Sequence, residues 1–389
     1  MRARPFSTPT RVLGFALALG ALSCGRNSGT QTLPSATPSS PASARPPSDP
    51  LAAIGAQRYE HYCQLCHAKD GSGYAADNAP SLISKTFLES ASDELIASGI
   101  RLGRSGTPMA AYGKVRGGPL EDHEITAIVR FLRSKGPKSM PLPPAGPSGN
   151  APRGAELFGK ECASCHGSPT TRSTALNLHN PELLGAASPA FLRYAIVSGR
   201  PPTPMPAFQG KLSEQDVSDI VEWLWSFKPA APAAPVANLT VPDDLPVVIN
   251  PKGGKPKFTL RAERFVSSEQ VKKALDAKQR IVIIDARAPS DWIQFRIPGA
   301  ISLPYHDKKH LDRIPNDGTW VVAYCACPHH ASGEVVDALR ARKYPNTAVL
   351  DEGILFWRQK GYPLAGEAVT PQGPAPLPSA PKPATSGKQ

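Results

Sequence analysis

The sequence predicts a multidomain protein in which two small helical units are followed by one α/β unit with a parallel sheet. Two observations carry this prediction. A long segment repeats itself in frame, and the hydrophobic periodicity changes after residue 257. The chain has 389 residues, enough for three domains of ordinary size, and proline-rich linkers are predicted at 137–150 and 229–256.

The first 23 residues have the pattern of an export signal. Arginines precede an apolar run at 12–22, which is too short to span a bilayer permanently. The following "ALSCG" resembles the cleavage site of bacterial lipoproteins, which implies lipidation of Cys24; cleavage nearby with a free Cys24 is the alternative. Residues 24–50 are predicted to be a Pro/Ser-rich tether. We therefore expect a protein of the cell envelope, on the periplasmic side, anchored to the membrane through Cys24.

The formal charge of +12 falls by three arginines if the signal is removed. The remaining basic residues are dispersed, and no run of Lys or Arg follows the spacing of a nucleic-acid backbone. We therefore expect no nucleic-acid partner.

The internal repeat contains one motif twice. "GAQRYEHYCQLCH" at 55–67 aligns with "GAELFGKECASCH" at 154–166, and "GTPMAAYGK" at 106–114 aligns with "PTPMPAFQGK" at 202–211. Each copy ends in apolar residues at i, i+3, i+4 and i+7, which predicts a closing amphipathic helix. We call these copies the first and second helical units.

Each copy also has a glycine, an aromatic residue four positions later, and an aromatic residue in its closing helix. This pattern predicts that the first helix packs closely against the last. The residues concerned are Gly55, Tyr59 and Phe131 in the first helical unit, and Gly154, Phe158 and Trp223 in the second.

Cys-x-x-Cys-His places two thiols on one helical turn, where they can form thioethers to the two vinyl groups of one haem while the histidine binds iron. On these motifs, residues 51–136 and 151–228 each resemble a class I c-type cytochrome domain, which is all-α. The resemblance implies two covalently bound haem c groups, with thioethers at Cys63, Cys66, Cys162 and Cys165 and iron ligands at His67 and His166. A zinc site would need a second ligand pair, and a thioredoxin-like pair would follow a strand; neither pattern is present.

Two methionines are the candidates for the sixth iron ligand. Met109 and Met205 each follow Thr-Pro, about forty residues after the haem-binding histidine, and they are the only methionines inside the repeats. Ligation by His and Met raises the reduction potential and fills both axial positions, so each unit is expected to carry electrons to and from periplasmic redox partners. The competing ligands His123 and His179 are expected at the surface.

The third unit, residues 257–366, alternates strand and helix patterns. Short β-branched runs at 280–287, 319–325 and 347–353 predict strands, and 267–275 and 332–342 have helical spacing. This alternation predicts a parallel sheet, with chemistry at the carboxyl ends of the strands. Cys325 is expected as the last residue of one strand.

The α/β unit resembles the rhodanese domain. The matching landmarks are "DAR" at 285–287, Trp292, "IPGAISLP" at 297–304, "YC" before a six-residue loop, and "LDEGILFWRQKGYP" at 350–363. By this resemblance Cys325 is the sulfur-carrying nucleophile, and the donor is thiosulfate or a persulfide. A loop over a helix N-terminus lowers the thiol pKa and holds an anionic donor.

We call residues 325–330 the cysteine loop. It departs from the family, because Ala326, Pro328 and His330 stand where the family usually has Arg, Gly and Arg. Further candidates for catalysis are His329, His330 and Cys327, which is interpreted as a resolving thiol. A strained Cys325–Cys327 disulfide, a spare thiol and a Cys/Cys/His/His metal site are the alternatives.

Three functions follow from these assignments. The first is a di-haem cytochrome in which sulfane-sulfur oxidation at Cys325 supplies electrons to the haems. The second is a thiosulfate-type sulfurtransferase that is not coupled to the haems. The third is an electron carrier with an inactive rhodanese docking domain. Residues 367–389 are expected to be a disordered tail.

Overall fold

The computed structural model describes residues 49–144, 146–230, 240–326, 329–367, 369–370 and 373–374, which all belong to one compact unit. The predicted signal segment, Cys24, almost all of the tether, Cys327 and most of the predicted tail lie outside the described residues. None of the described helices is long and apolar enough to cross a membrane.

The first helical unit contains five α-helices that begin at well-defined caps. Asp49 accepts a hydrogen bond from the amide of Leu51, and Glu121 and Glu124 form a capping box at the start of the last helix. In chain order the helices are α1 (Pro50–Tyr62), α2 (Gln64–His67), α3 (Lys85–Ser90), α4 (Asp93–Leu102) and α5 (Asp122–Arg133).

The second helical unit repeats this arrangement element by element. Asn150 and Ser213 cap its first and last helices, and Ser213 forms a capping box with Asp216. The helices are α6 (Ala151–Glu161), α7 (Ala163–His166), α8 (Pro181–Ala186), α9 (Pro189–Ser198) and α10 (Glu214–Trp225).

In both units the first helix packs directly on the last, as the glycine and aromatic pattern predicts. A Cβ atom added to Gly55 would lie 1.9 Å from the carbonyl oxygen of Ala127 in α5, and one added to Gly154 would lie 1.9 Å from that of Asp219 in α10. The rings beside these crossings are in contact: Tyr59 and Phe131 have centroids 5.1 Å apart, and Phe158 and Trp223 have centroids 4.6 Å apart.

The α/β unit has a five-stranded parallel sheet in the order β1-β5-β4-β2-β3. Its central strands are buried on both faces, which explains their continuous apolar sequences. The strands are β1 (Phe265–Val266), β2 (Ile281–Asp285), β3 (Ile301–Ser302), β4 (Trp320–Tyr324) and β5 (Thr347–Leu350). The helices are α11 (Ser268–Asp276), α12 (Pro289–Gln294), α13 (His330–Ala341) and α14 (Gly353–Gln359).

The predicted fold class is therefore confirmed, with differences in detail. Strand β4 ends one residue before Cys325, and α13 begins at His330 rather than at residue 332. Two-residue strands such as β1 and β3 are too short to give a sequence pattern. The start of the predicted tail contains a short antiparallel pair, β6 (Val369–Thr370) with β7 (Gly373–Pro374).

Candidate functional site

The histidines of the two Cys-x-x-Cys-His motifs are oriented by backbone carbonyls. Nδ1 of His67 lies 3.0 Å from the carbonyl oxygen of Pro80, and Nδ1 of His166 lies 2.7 Å from that of Leu176. A carbonyl only accepts, so each Nδ1 carries the hydrogen and each Nε2 keeps its lone pair. Burial lowers the pKa of both histidines, which also favours the neutral, ligating form.

The methionines lie in two matched turns. The amide of Arg104 donates to the carbonyl of Met109 at 2.8 Å, and the amide of Met109 donates to Oγ1 of Thr107 at 3.1 Å. The second unit has the same turn, with distances of 3.0 Å from Arg200 to Met205 and 3.3 Å from Met205 to Thr203. The threonine of each Thr-Pro-Met therefore fixes the methionine backbone.

The same turns contain two half-buried arginines, Arg104 and Arg200, that the sequence analysis missed. Burial lowers the pKa of Arg104 to about 10 and that of Arg200 to about 10, and Nη2 of Arg200 has no hydrogen-bond partner among the described residues. Nη1 of Arg200 donates to the carbonyls of Thr86 and Gly199, so its buried Nη2 remains available for one further acceptor. Both units read Arg-x-x-Thr-Pro-Met, so this signal was present in the sequence.

These features fit a c-type haem in each helical unit. Nε2 of a neutral histidine and a methionine thioether are suitable iron ligands, the paired cysteines suit thioether attachment, and a haem propionate would supply an acceptor for the unpartnered Nη2 of Arg200. The residues that would hold the two groups are Cys63, Cys66, His67 and Met109 in the first unit, and Cys162, Cys165, His166 and Met205 in the second.

One competing ligand does not lie where the sequence predicts. His123 is exposed, as expected, but the expectation of surface placement for His179 is wrong, because it is only 7% exposed and packs against the rings of Phe158, Trp223 and Phe227. Burial, and the nearby His166, lower the pKa of His179 to about 4, so this ring is neutral near pH 7. It occupies a core position beside the second Cys-x-x-Cys-His motif.

The two helical units contact each other reciprocally. Ser105, in the methionine turn of the first unit, donates from its hydroxyl to Glu182 of α8 at 2.5 Å. In the other direction, the hydroxyl of Thr86 in α3 donates to Gly199, next to the methionine turn of the second unit, at 2.8 Å. Because α3 and α8 are equivalent elements, each methionine turn lies against the same short helix of the other unit.

In the α/β unit, Cys325 directly follows β4 and is 2% exposed. Its Sγ lies 3.3 Å from the hydroxyl of Ser332, in the first turn of α13, and its carbonyl accepts from the amide of Ile354 at 2.9 Å. Ser332 is fully buried, so its hydroxyl is positioned to donate to a thiolate or persulfide at Cys325.

A buried ion pair supports the neighbouring strand β2. Arg287 makes two hydrogen bonds to Asp285, at 2.9 and 2.7 Å, and Tyr324 donates to the same carboxylate at 2.8 Å. Burial opposes the charge of Arg287, but Asp285 and Asp291 outweigh this and raise its pKa. The "DAR" landmark therefore fixes the sheet edge beside the cysteine loop.

The two histidines of the cysteine loop contact different partners. His329 has φ of 93°, and its Nε2 lies 2.9 Å from the carboxylate of Asp351. The centroid of its ring lies 4.1 Å from the ring centroid of Phe265. Nδ1 of His330 lies 3.6 Å from the carboxylate of Asp77, in the first helical unit. The histidines therefore diverge. Among the described residues, no group of three or more His, Cys, Asp or Glu side chains is arranged to hold a metal ion.

The α/β unit lies against the first helical unit, where Asp77 lies close to both His330 and Cys66. Burial, and then Asp77 and Cys325, raise the pKa of the Cys66 thiol to about 12. Nearby, the hydroxyl of Tyr305 donates to the carbonyl of Tyr62 at 2.7 Å. The interface extends to the methionine turn, because Ser290 donates to Ala111 at 2.5 Å.

Comparisons with known families match both parts of the chain. The profile described as cytochrome c oxidase, cbb3-type, subunit III matches residues 50–132 and 149–224, and the rhodanese-like domain profile matches residues 267–360. The chain therefore combines cytochrome c-type helical units with a rhodanese-like domain. Cytochrome c domains imply covalently bound haem c, and the two parts support electron transfer and sulfurtransferase chemistry respectively.

Individual relatives match one part each. The cbb3-type cytochrome c oxidase subunit FixP of Bradyrhizobium sp. is 29% identical over 174 residues, 42% of this chain and 57% of that protein. Dihydro-heme d1 dehydrogenase of Pseudomonas aeruginosa is 29% identical over 28% of this chain and 22% of that protein. A sulfurtransferase of Allochromatium vinosum is 29% identical over 28% of this chain and 96% of that protein. This chain thus spans a little over half of the FixP subunit and about a fifth of the dihydro-heme d1 dehydrogenase.

Among solved structures, a reducing HAO-like protein complex of Kuenenia stuttgartiensis has a TM-score of 0.31 at 18% identity, covering 45% of this chain and 96% of that one. Thiosulfate sulfurtransferase of Pseudomonas aeruginosa has a TM-score of 0.25 at 28% identity, covering 26% of this chain and 20% of that one.

Proposed function

We propose that this protein is a di-haem c-type cytochrome of the bacterial envelope that accepts sulfane sulfur on Cys325 and passes electrons from sulfur oxidation to redox partners. The observation that carries the proposal is the position of the cysteine loop. Cys325 itself is buried, and the start of α13 lies near the first Cys-x-x-Cys-His motif, because the carboxylate of Asp77 lies 3.6 Å from Nδ1 of His330 and 4.0 Å from Sγ of Cys66. A sulfur site placed there is suited to deliver electrons to the first helical unit.

The sulfur chemistry has two steps. The Cys325 thiolate attacks the outer sulfur of the donor, a new S–S bond forms, and the rest of the donor leaves. The resulting persulfide and the thiol of Cys327, or of an acceptor, then lose two protons to solvent and form a trisulfide, in which the outer sulfur of the persulfide is bonded to the second thiol. That bond formation releases two electrons, which two one-electron carriers can remove. Cys327 itself lies outside the described residues.

A c-type haem, when bound, would supply a one-electron acceptor. The two cysteines, the histidine and the methionine of each helical unit would hold it, and the hydroxyl of Ser332 would stabilise the anionic sulfur at Cys325. The reciprocal contacts of the methionine turns with α3 and α8 keep the two helical units close together, which suits transfer from one to the other.

Matched positions in the two helical units differ in solvent exposure, and this difference supports a direction of electron transfer from the first unit to the second. Cys66 is partly covered, whereas its counterpart Cys165 is exposed. Ala111, beside the first methionine turn, is 2% exposed and contacts the α/β unit, whereas its counterpart Ala207 is exposed. We therefore assign the entry of electrons to the first helical unit and the contact with an external redox protein to the second.

The cellular location is part of the same proposal. Covalent attachment of haem c and the export signal at 1–23 both suit the periplasmic side of the envelope, with Cys24 as the lipidated residue that anchors the protein to the membrane.

An anaerobic titration tests the coupling. The oxidised holoprotein is mixed with thiosulfate or with a small hydropersulfide, and haem absorbance is followed next to a Cys325→Ser variant. The proposal expects haem reduction, up to two electrons per chain, that requires Cys325. Dithionite is the control, because it should reduce both proteins fully.

The other outcomes select the alternatives. Cys325-dependent transfer of sulfur to cyanide without any haem reduction would leave a thiosulfate-type sulfurtransferase. Haem reduction that is indifferent to Cys325, with no sulfur transfer, would leave an electron carrier with a docking domain. The cysteine loop lacks the two arginines that are usual in the family, which is the sequence feature that favours this last alternative.

A further inference from the structure

The cysteine loop has little positive charge for a site that is expected to take an anionic donor. Residues 325–330 contain no Lys or Arg, and its histidines are charged only when protonated. The remaining attraction for an anion comes from the N-terminus of α13, a twelve-residue helix whose first turn contains Ser332.

A carboxylate from another part of the chain already lies at this end of the helix. Asp77 belongs to the first helical unit, and its side chain is only 9% exposed. One carboxylate oxygen lies 3.6 Å from Nδ1 of His330, the first residue of α13, and the other lies 4.0 Å from Sγ of Cys66. Arg172 of the second helical unit donates to the backbone carbonyl of Asp77 at 2.8 Å, which helps to fix its loop.

The position of Asp77 has an electrostatic consequence for sulfur donors. Thiosulfate has two negative charges, and its approach to Cys325 would bring them close to a shielded carboxylate. At an effective dielectric constant of about 20, repulsion between two unit charges about 10 Å apart amounts to roughly a tenfold change in affinity. The protonated form of an alkyl hydropersulfide, R–S–SH, which is the form that a thiolate attacks, carries no charge and meets no such repulsion.

We propose that Asp77 is a specificity-determining residue of the sulfur site at Cys325: its charge disfavours dianionic donors such as thiosulfate and so favours alkyl hydropersulfides. In the favoured reaction, the Cys325 thiolate attacks the outer sulfur of R–S–SH. The new S–S bond gives Cys325–S–SH, the old S–S bond breaks, and R–S⁻ leaves with its electron pair, so no oxidant is needed. This inference rests on the proposed sulfur chemistry at Cys325.

The substitution Asp77→Asn tests the role of this charge with little change in structure. Asp77 has φ of 58°, a left-handed conformation that Asn also adopts readily. A matched control is Asp70→Asn, because Asp70 is exposed in the same loop region. This substitution changes the net charge by the same amount as Asp77→Asn. Unchanged haem content of both variants verifies that they fold.

The first measurement compares two alkylating agents that differ in charge, neutral iodoacetamide and anionic iodoacetate. Their rates at Cys325 are followed by peptide mass spectrometry of the holoprotein. Any change in thiolate fraction cancels in the ratio of the two rates. We expect Asp77→Asn to lower the preference for iodoacetamide about tenfold and Asp70→Asn to leave it within twofold. An unchanged ratio in Asp77→Asn would overturn the proposal.

The second measurement is the kcat/KM of sulfur transfer from thiosulfate and from 2-hydroxyethyl hydropersulfide. We expect Asp77→Asn to raise the value for thiosulfate at least tenfold and to change that for the hydropersulfide less than threefold. If wild type transfers sulfur but its donor ratio is unaffected by Asp77→Asn, only the role of Asp77 fails. If Cys325→Ser still transfers sulfur from both donors, the proposed sulfur site itself fails.

Discussion

The carboxylate of Asp77 lies 3.6 Å from the imidazole of His330, so that a loop of the first helical unit contacts the start of the helix that follows Cys325. This contact places the start of α13 close to the first Cys-x-x-Cys-His motif. The Cys-x-x-Cys-His motif is only ten residues before Asp77, and Cys66 contacts its carboxylate. A change at this junction is therefore expected to alter sulfur chemistry without removing any haem ligand.

The hydroxyl of Ser332 is expected to set the pKa of Cys325. A hydrogen bond to an ionised group contributes about 1.5 kcal/mol, which corresponds to about one pKa unit. Ser332→Ala should therefore move the acid limb of the pH profile of sulfur transfer upward by about one unit. Ser302→Ala is a suitable control, because the hydroxyl of Ser302 has no hydrogen-bond partner among the described residues. Equal profiles for both variants would contradict this role.

The two methionine turns are expected to behave as independent ligand loops. In the oxidised holoprotein, Met109→Leu should remove about half of the absorption that arises from charge transfer between methionine sulfur and iron, and Met205→Leu the other half. Each substitution should also lower the reduction potential of one haem. Near-infrared absorption and a redox titration provide the two readouts. If either single variant kept the full absorption, that methionine would not be a ligand.

The crossing of α6 and α10 depends on Gly154. A methyl group there would overlap the carbonyl of Asp219, so Gly154→Ala should lower the free energy of unfolding by about 3 kcal/mol. Gly159→Ala, in the same helix but with no atom within 4 Å, should instead raise it by about 0.5–1 kcal/mol. Urea unfolding followed by haem absorbance and circular dichroism measures both. Similar shifts for the two variants would show that the crossing tolerates a side chain.

The sequence was sufficient to predict the features whose pattern lies within a short segment or a visible repeat. The strand patterns, the closing helices and the Gly154 crossing each depend on residues within one helix or strand, or on a repeat that can be aligned by eye. The structure alone revealed features that depend on tertiary packing. His179 stands in a polar segment, yet three aromatic rings enclose it. Asp77 and His330 are far apart in the chain, and no pattern in either segment indicates their contact.

Burial of His306 at the junction with the first helical unit is expected to make that junction sensitive to acid. Its ring packs against those of His61, Tyr62 and Tyr112, and its Nε2 has no hydrogen-bond partner among the described residues. Burial, and then His61, lower the pKa of His306 to about 4, although Asp307 acts in the opposite direction. The usual histidine pKa of about 6.5 applies to the unfolded chain.

A histidine whose pKa is lower in the folded than in the unfolded chain stabilises the fold fully above pH 6.5, and this stability is lost as the pH falls toward 4. His306→Phe keeps an aromatic ring but removes the titration, so the melting temperature should fall less between pH 7.5 and pH 5 than in wild type. His310→Phe, at an exposed position in the same segment, should retain the wild-type fall. An equal loss of stability in His306→Phe and wild type between these pH values would contradict this prediction. Another group would then cause the acid sensitivity, and the interface around Tyr62 would be insensitive to the charge of His306.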